Sequence, residues 1–135
     1  MDSSAHELPG LSVHLDQLIY RNDPDQFSED SPHAFIYFLT IRNESNHTVH
    51  LFGRKWILEY SDGSTRVIEG DGIVGKKPTL VPGESFSYNS FHLSDQSALA
   101  MGSFFGRDEN DRPIYTRTPP MDLTLPPDQT GDNLA

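Results

Sequence analysis

The chain has 135 residues, 20 acidic against 10 basic side chains, a formal net charge of −10 and no cysteine. That length suits one domain with a core large enough to fold unaided, and the missing thiols exclude disulfides, thiolate metal sites and cysteine nucleophiles. The negative balance disfavours nucleic acid, which needs many facing cations, and the longest strongly apolar run, Ala34 to Leu39, is far too short for a membrane span.

The first thirty residues show no basic-then-apolar leader, so a soluble cytoplasmic protein is expected. Charge is uneven: residues 1–32 hold seven acids with Arg21, residues 108–135 hold six acids with Arg112 and Arg117, and the centre from Arg42 to Lys77 is nearly balanced. The acidic ends serve solubility.

No window of a dozen residues sustains a helical apolar stripe free of Gly or Pro, so strands are predicted throughout. Leu11, Val13 and Leu15 alternate with Ser12, His14 and Asp16 and mark a first strand at an edge; Arg21 to Pro32 reads as a polar loop. Phe35, Tyr37, Leu39 and Ile41 fill one face of a second strand. Ile36 and Phe38 on its other face make it central, with some cover on both sides. A third strand from Val49 to Tyr60 aligns Arg54, Trp56, Leu58 and Tyr60, with Trp56 as core anchor, and Ser61-Asp62-Gly63-Ser64 turns it into Thr65 to Glu69.

Gly70 to Gly83 is a long loop punctuated by Gly and Pro, a length that often carries function. Phe86, Tyr88 and Ser90 share a face of the next strand. Met101 to Arg107 and Ile114 to Leu125 complete the set around a turn from Asp108 to Pro113. About seven strands in residues 1–126 imply one all-β domain, a sandwich of two antiparallel sheets, with a barrel as the alternative. The polar tail 127–135 is expected to be disordered.

Gly70-Asp71-Gly72-Ile73-Val74-Gly75 fits G-x-G-x-x-G, but Pro78 and Pro82 follow too closely for the helix that a dinucleotide fold requires. A weaker reading survives, in which the amides of Gly70, Gly72 and Gly75, with Lys76 and Lys77, form an anion nest. Glu69 and Asp71 oppose it, and the competing reading is that these glycines only supply positive φ and close packing. A polyphosphate hydrolase would have only Glu69, Asp71 and Glu84 as local carboxylates. The histidines at 6, 14, 33, 47, 50 and 92 show no metal-ligand pattern, and Ser85, Ser87 and Ser90 lack a nucleophile elbow. No catalytic residue, metal or cofactor is assigned. The aromatics alternate with polar neighbours as core residues do, rather than forming a base-stacking platform.

Taken in order, Phe35-x-Tyr37-x-Leu39-x-Ile41-x-Asn43, Arg54-x-Trp56, the glycine hexad, Pro78-x-Leu80-x-Pro82-Gly83-Glu84 and Phe86-x-Tyr88-x-Ser90 resemble an ApaG domain over roughly Leu11 to Pro126. The resemblance implies an immunoglobulin-like or fibronectin-type-III-like sandwich without established enzymatic activity. It also implies genetic links to cobalt resistance, magnesium efflux and diadenosine tetraphosphate metabolism, with pyrophosphate proposed at the hexad. In eukaryotic relatives, F-box proteins and a DNA-polymerase-delta-interacting protein, protein–protein binding is favoured. Ala98-Leu99-Ala100-Met101-Gly102 and Thr118-Pro119-Pro120-Met121-Asp122-Leu123 depart from the family pattern, which bears on how the last strands pack. Lys76 and Lys77 are not carried over from the family. The expected function is therefore a non-enzymatic module that binds a protein. The alternative is a binder of pyrophosphate or diadenosine tetraphosphate linked to divalent-cation homeostasis.

Overall fold

The computed structural model describes residues 5–22 and 30–127; the expected tail, apart from Pro127, and part of the Arg21–Pro32 loop lie outside them. Among the described residues ten strands follow in order: β1 His6–Glu7, β2 Leu11–Asn22, β3 His33–Asn43, β4 Val49–Tyr60, β5 Thr65–Asp71, β6 Thr79–Leu80, β7 Ser85–Ser94, β8 Ala98–Asp108, β9 Pro113–Arg117 and β10 Met121–Leu123. One sheet runs β1-β9-β8-β4-β5, with β10 added to β8 and β6 to β4; the other runs β2-β3-β7. All pairings are antiparallel except β1 with β9. The sandwich is as expected, and its seven strands of five or more residues are the seven legible in the sequence. The three extra strands are two or three residues long, too short for a period-2 pattern to register.

Two boundaries differ from expectation. The first strand does not stop near Leu15 but continues to Asn22, past a register shift between Leu15 and Gln17. Beyond that bulge the inward face is carried by Leu18 and Tyr20, which pack on the core. The last segment, expected as one strand from Ile114 to Leu125, is broken into β9 and β10 by Thr118-Pro119-Pro120. Prolines have no N–H to donate to a ladder.

The core lies between the sheets, where the alternate side chains Phe35, Tyr37, Leu39 and Ile41 of β3 meet Trp56 and Leu58 of β4 and Phe104 of β8. Trp56 is 1% exposed and touches both layers: its ring lies 5.1 Å from Tyr37, 4.8 Å from His92 and 6.4 Å from Phe104. The large indole fits because its cross-strand neighbour on β8 is Gly102. A Cβ there would stand 2.7 Å from the indole. Gly102→Ala is therefore expected to force the ring aside and to destabilise the fold by about 1–3 kcal/mol. Urea denaturation checks this, and an unchanged midpoint would mean that the indole has room to move.

Candidate functional site

The glycine segment begins as the end of β5. Gly70 pairs with Arg54 of β4, and the Arg54 guanidinium fills the space a side chain at Gly70 would need, 2.6 Å from the Cβ position. From there Arg54 donates to the carbonyls of Asp71, at 2.8 Å, and Gly72, at 3.1 Å. Gly72, at φ +68°, donates its N–H to the Phe52 carbonyl at 2.6 Å and turns the chain so that Ile73 drops fully into the core. Ile73 and Lys76 then exchange backbone hydrogen bonds across a two-residue turn whose central residues, Val74 and Gly75, have φ of 51° and 78°. Two successive positive φ values define a type I′ turn, a geometry that Gly accepts freely and a β-branched residue seldom adopts.

The return path is held by Asn43, which is fully buried. Its amide donates to the carbonyls of His47 and Leu80, its Oδ1 accepts from the N–H and hydroxyl of Ser45, and its own carbonyl accepts the Gly83 N–H. Glu84 accepts the Val81 N–H at 2.9 Å. Gly70 to Gly83 is thus not the open loop expected from its composition: Gly70 and Asp71 close β5, Thr79–Leu80 forms β6, and Ile73 is core.

The residues nominated for an anion site separate into two groups. Gly70 lies in the ladder beneath Arg54, and the Gly72 N–H is already bonded to Phe52. Gly75, Lys76 and Lys77 sit together with Val74 at the exposed tip, and neither lysine forms an ion pair among the described residues. Beside the segment, a groove of about 340 Å³ is lined by Phe52, Phe105, Glu69 and Asp71. Composition pointed to the glycines; alternation placed Arg54 and Asn43 on core-facing sides of their strands, but nothing local showed that they reach the glycine segment.

Behind Arg54 lies a buried polar layer formed by Tyr37, Tyr88 and His92. Burial raises the phenol pKa values of Tyr37 and Tyr88, and the nearby Arg54 charge works against that rise. His92, stacked on Tyr37 and edge-on to Trp56, is depressed by burial from 6.5 to about 4. Its Nε2 and the Tyr88 hydroxyl have no hydrogen-bond partner among the described residues. On the surface, His47 pairs with Glu109 at 2.7 Å and His50 with the Thr79 hydroxyl at 2.9 Å, so the two do not converge. Among the described residues no group of three or more His, Asp or Glu could hold a metal ion, and no helix is long and apolar enough to cross a membrane.

The outer face of the three-stranded sheet carries a second feature. The register aligns Ile19, Ile36 and Phe91 in one row across β2, β3 and β7, with Phe38 next to it on β3. Phe91 is 54% exposed, and Ile19, Ile36 and Phe38 are half-buried.

Comparison with known proteins places this geometry. Residues 24–107 match the family model described as the ApaG domain. The chain belongs to the ApaG family. It is 36% identical to Protein ApaG of Acidovorax sp. (strain JS42) over 118 residues, 83% of this chain and 84% of that one. Against Protein ApaG of Deinococcus radiodurans the identity is 34% over 101 residues, 74% of this chain and 78% of that one. An X-ray structure of a Northeast Structural Genomics Consortium target superposes with a TM-score of 0.77 at 26% identity, covering 88% of this chain and 89% of that one. Relative to the ApaG pattern, the two departures fall at a single strand pair, in which Met121, Asp122 and Leu123 of β10 face Ala100, Leu99 and Ala98 of β8. Met121 and Leu123 are buried there, so the altered stretches still close the core.

His92 gives this ApaG domain a defined acid response. Its imidazole stays neutral in the fold down to about pH 4 but takes a proton near 6.5 when unfolded. Between those values the unfolded state holds the extra proton, so stability falls as pH is lowered from about 6.5 to about 4, by roughly 2–3 kcal/mol in all. Unfolding free energies at pH 7.5 and 4.5 are expected to converge in His92→Phe relative to the parent; an equal drop in both proteins would assign the acid response to other groups.

Proposed function

We propose that this ApaG-family chain is a non-enzymatic binding module that engages a protein partner through the outer face of its three-stranded sheet. The observation that carries the reading is the row Ile19–Ile36–Phe91. Three apolar side chains are aligned across three strands on a face that a lone domain would be expected to make polar. A half-buried branched residue beside an exposed aromatic is the composition of an interface centre. The test places a photo-crosslinking residue at Phe38, beside the row, in cells. A discrete protein adduct is expected, lost when Ile36→Asp is added to a chain that still folds; no adduct, or one indifferent to Ile36→Asp, contradicts the reading.

A second reading concerns the tip of the glycine segment. Lys76 and Lys77 stand exposed, without ion pairs among the described residues, beside the Val74-Gly75 turn, where a β-branched residue holds a strained positive φ. Two unpaired cations at a strained backbone turn suit a phosphate group, and pyrophosphate or diadenosine tetraphosphate with magnesium would connect the chain to divalent-cation homeostasis. In an amide-resolved NMR titration, saturable shifts confined to Val74 through Lys77 are expected, together with loss of binding in Lys76→Ala/Lys77→Ala. The absence of shifts at millimolar pyrophosphate removes this reading and leaves the protein-binding face untouched.

A further inference from the structure

We propose that the chain self-associates through β7, pairing edge to edge with the same strand of a second copy. Among the described residues β7 is outermost in its sheet and pairs with β3 on one side only. The Asn43 N–H donates to the Glu84 carbonyl, which sets the alternation of the ladder. Phe86, Tyr88, Ser90 and His92 direct their backbone groups to β3, whereas Ser87, Asn89, Phe91 and Leu93 direct theirs outward.

The long outermost strands differ in how their open edges are blocked. β2 carries a bulge at Asp16, and β5 carries Arg66, Glu69 and Asp71. From Ser85 to Ser94, β7 has no Lys, Arg, Asp, Glu or Pro, and its pairing with β3 runs without a register shift. Natural edge strands use charges, prolines and bulges to prevent such pairing, so an edge without them that also exposes Phe91 is open to a partner strand.

Charge complementarity identifies that partner as another copy of this chain. A two-fold axis at Asn89 makes the overlap longest, setting Ser87 opposite Phe91 and Ser85 opposite Leu93 of the second copy, with no like charges in register. The same register brings Glu84 of the second copy opposite Ser94. Even-numbered positions of β7 face the other sheet, and there a cleft of about 340 Å³ between the β5 and β7 edges is lined by Arg66, Tyr60, Ile68 and His92. Arg66 is exposed and has no ion pair among the described residues, so each copy offers the cation that the other's Glu84 meets.

Sedimentation equilibrium of the full chain in about 0.15 M salt, with concentration raised to about 1 mM, tests the proposal. The mass is expected to rise from 15.2 kDa toward twice that value. Asn89→Pro removes an outward N–H without touching the β3 ladder and is expected to keep the chain folded by circular dichroism but monomeric. Arg66→Glu and Glu84→Arg are each expected to weaken association at least tenfold, and the double exchange to restore it. A parent chain that stays monomeric at about 1 mM overturns the proposal and leaves the edge to a strand of a different protein. A dimer indifferent to Asn89→Pro, or charge variants that are not rescued by the exchange, overturns it equally. Asn89 pairs with Phe38 beside the Ile19–Ile36–Phe91 row, but Arg66 and Glu84 lie outside that row and outside the lysine tip, so the charge variants separate failure here from failure of either proposed binding surface.

Discussion

Arg54 and Trp56 project inward from β4, each into space left by a missing Cβ on a neighbouring strand, and the rest of the molecule is arranged around that fit. Trp56 lies over Gly102 and joins the sheets through Tyr37 and His92; Arg54 lies over Gly70 and ties the end of β5 to the turn that follows. One strand thus supplies both the apolar contact that closes the sandwich and the cation that shapes its glycine segment. The phenols of Tyr37 and Tyr88 complete the layer, close enough for the Arg54 charge to act on both. A partly buried cation needs such polar neighbours, because in an apolar setting its desolvation would be uncompensated.

This arrangement divides the glycine hexad by role. The first half is structural: Gly70 admits a guanidinium, and Gly72 admits a turn in which a Cβ would press against the Lys76 carbonyl at 2.8 Å. The second half is presented outward, with Ile73 as the buried hinge between the two. A phosphate ligand would meet a short lysine-bearing tip and not a three-glycine cradle. The face proposed for protein recognition lies on the other sheet, so the two binding readings occupy separate surfaces.

Much of the fold was legible because antiparallel strands facing one core impose strict alternation. Phe35 to Ile41, Trp56 to Tyr60 and Phe86 to Ser90 each kept the face their spacing indicated. The continuation of β2 was hidden by a bulge, which shifts the inward face by one residue between Leu15 and Leu18 and so ends the simple alternation near Asp16. The broken last strand was visible in Pro119-Pro120, although hydrophobic residues on either side suggested continuity. For the site, composition picked out the segment, but the division of labour within it depends on contacts with Arg54, Asn43 and Phe52, which are distant in sequence. A local pattern read along the chain contains none of those long-range partners.

Amide hydrogen exchange across residues 70–77 tests the central claim, that the first half of the hexad is locked into the fold and only the tip is free. The predicted result is slow exchange at Gly72, Ile73 and Lys76, whose N–H groups are bonded to Phe52, Lys76 and Ile73, with fast exchange at Val74 and Gly75. Fast exchange at Gly72 and Ile73 in the folded protein would contradict it and return the whole glycine segment to candidacy as an open ligand-binding loop.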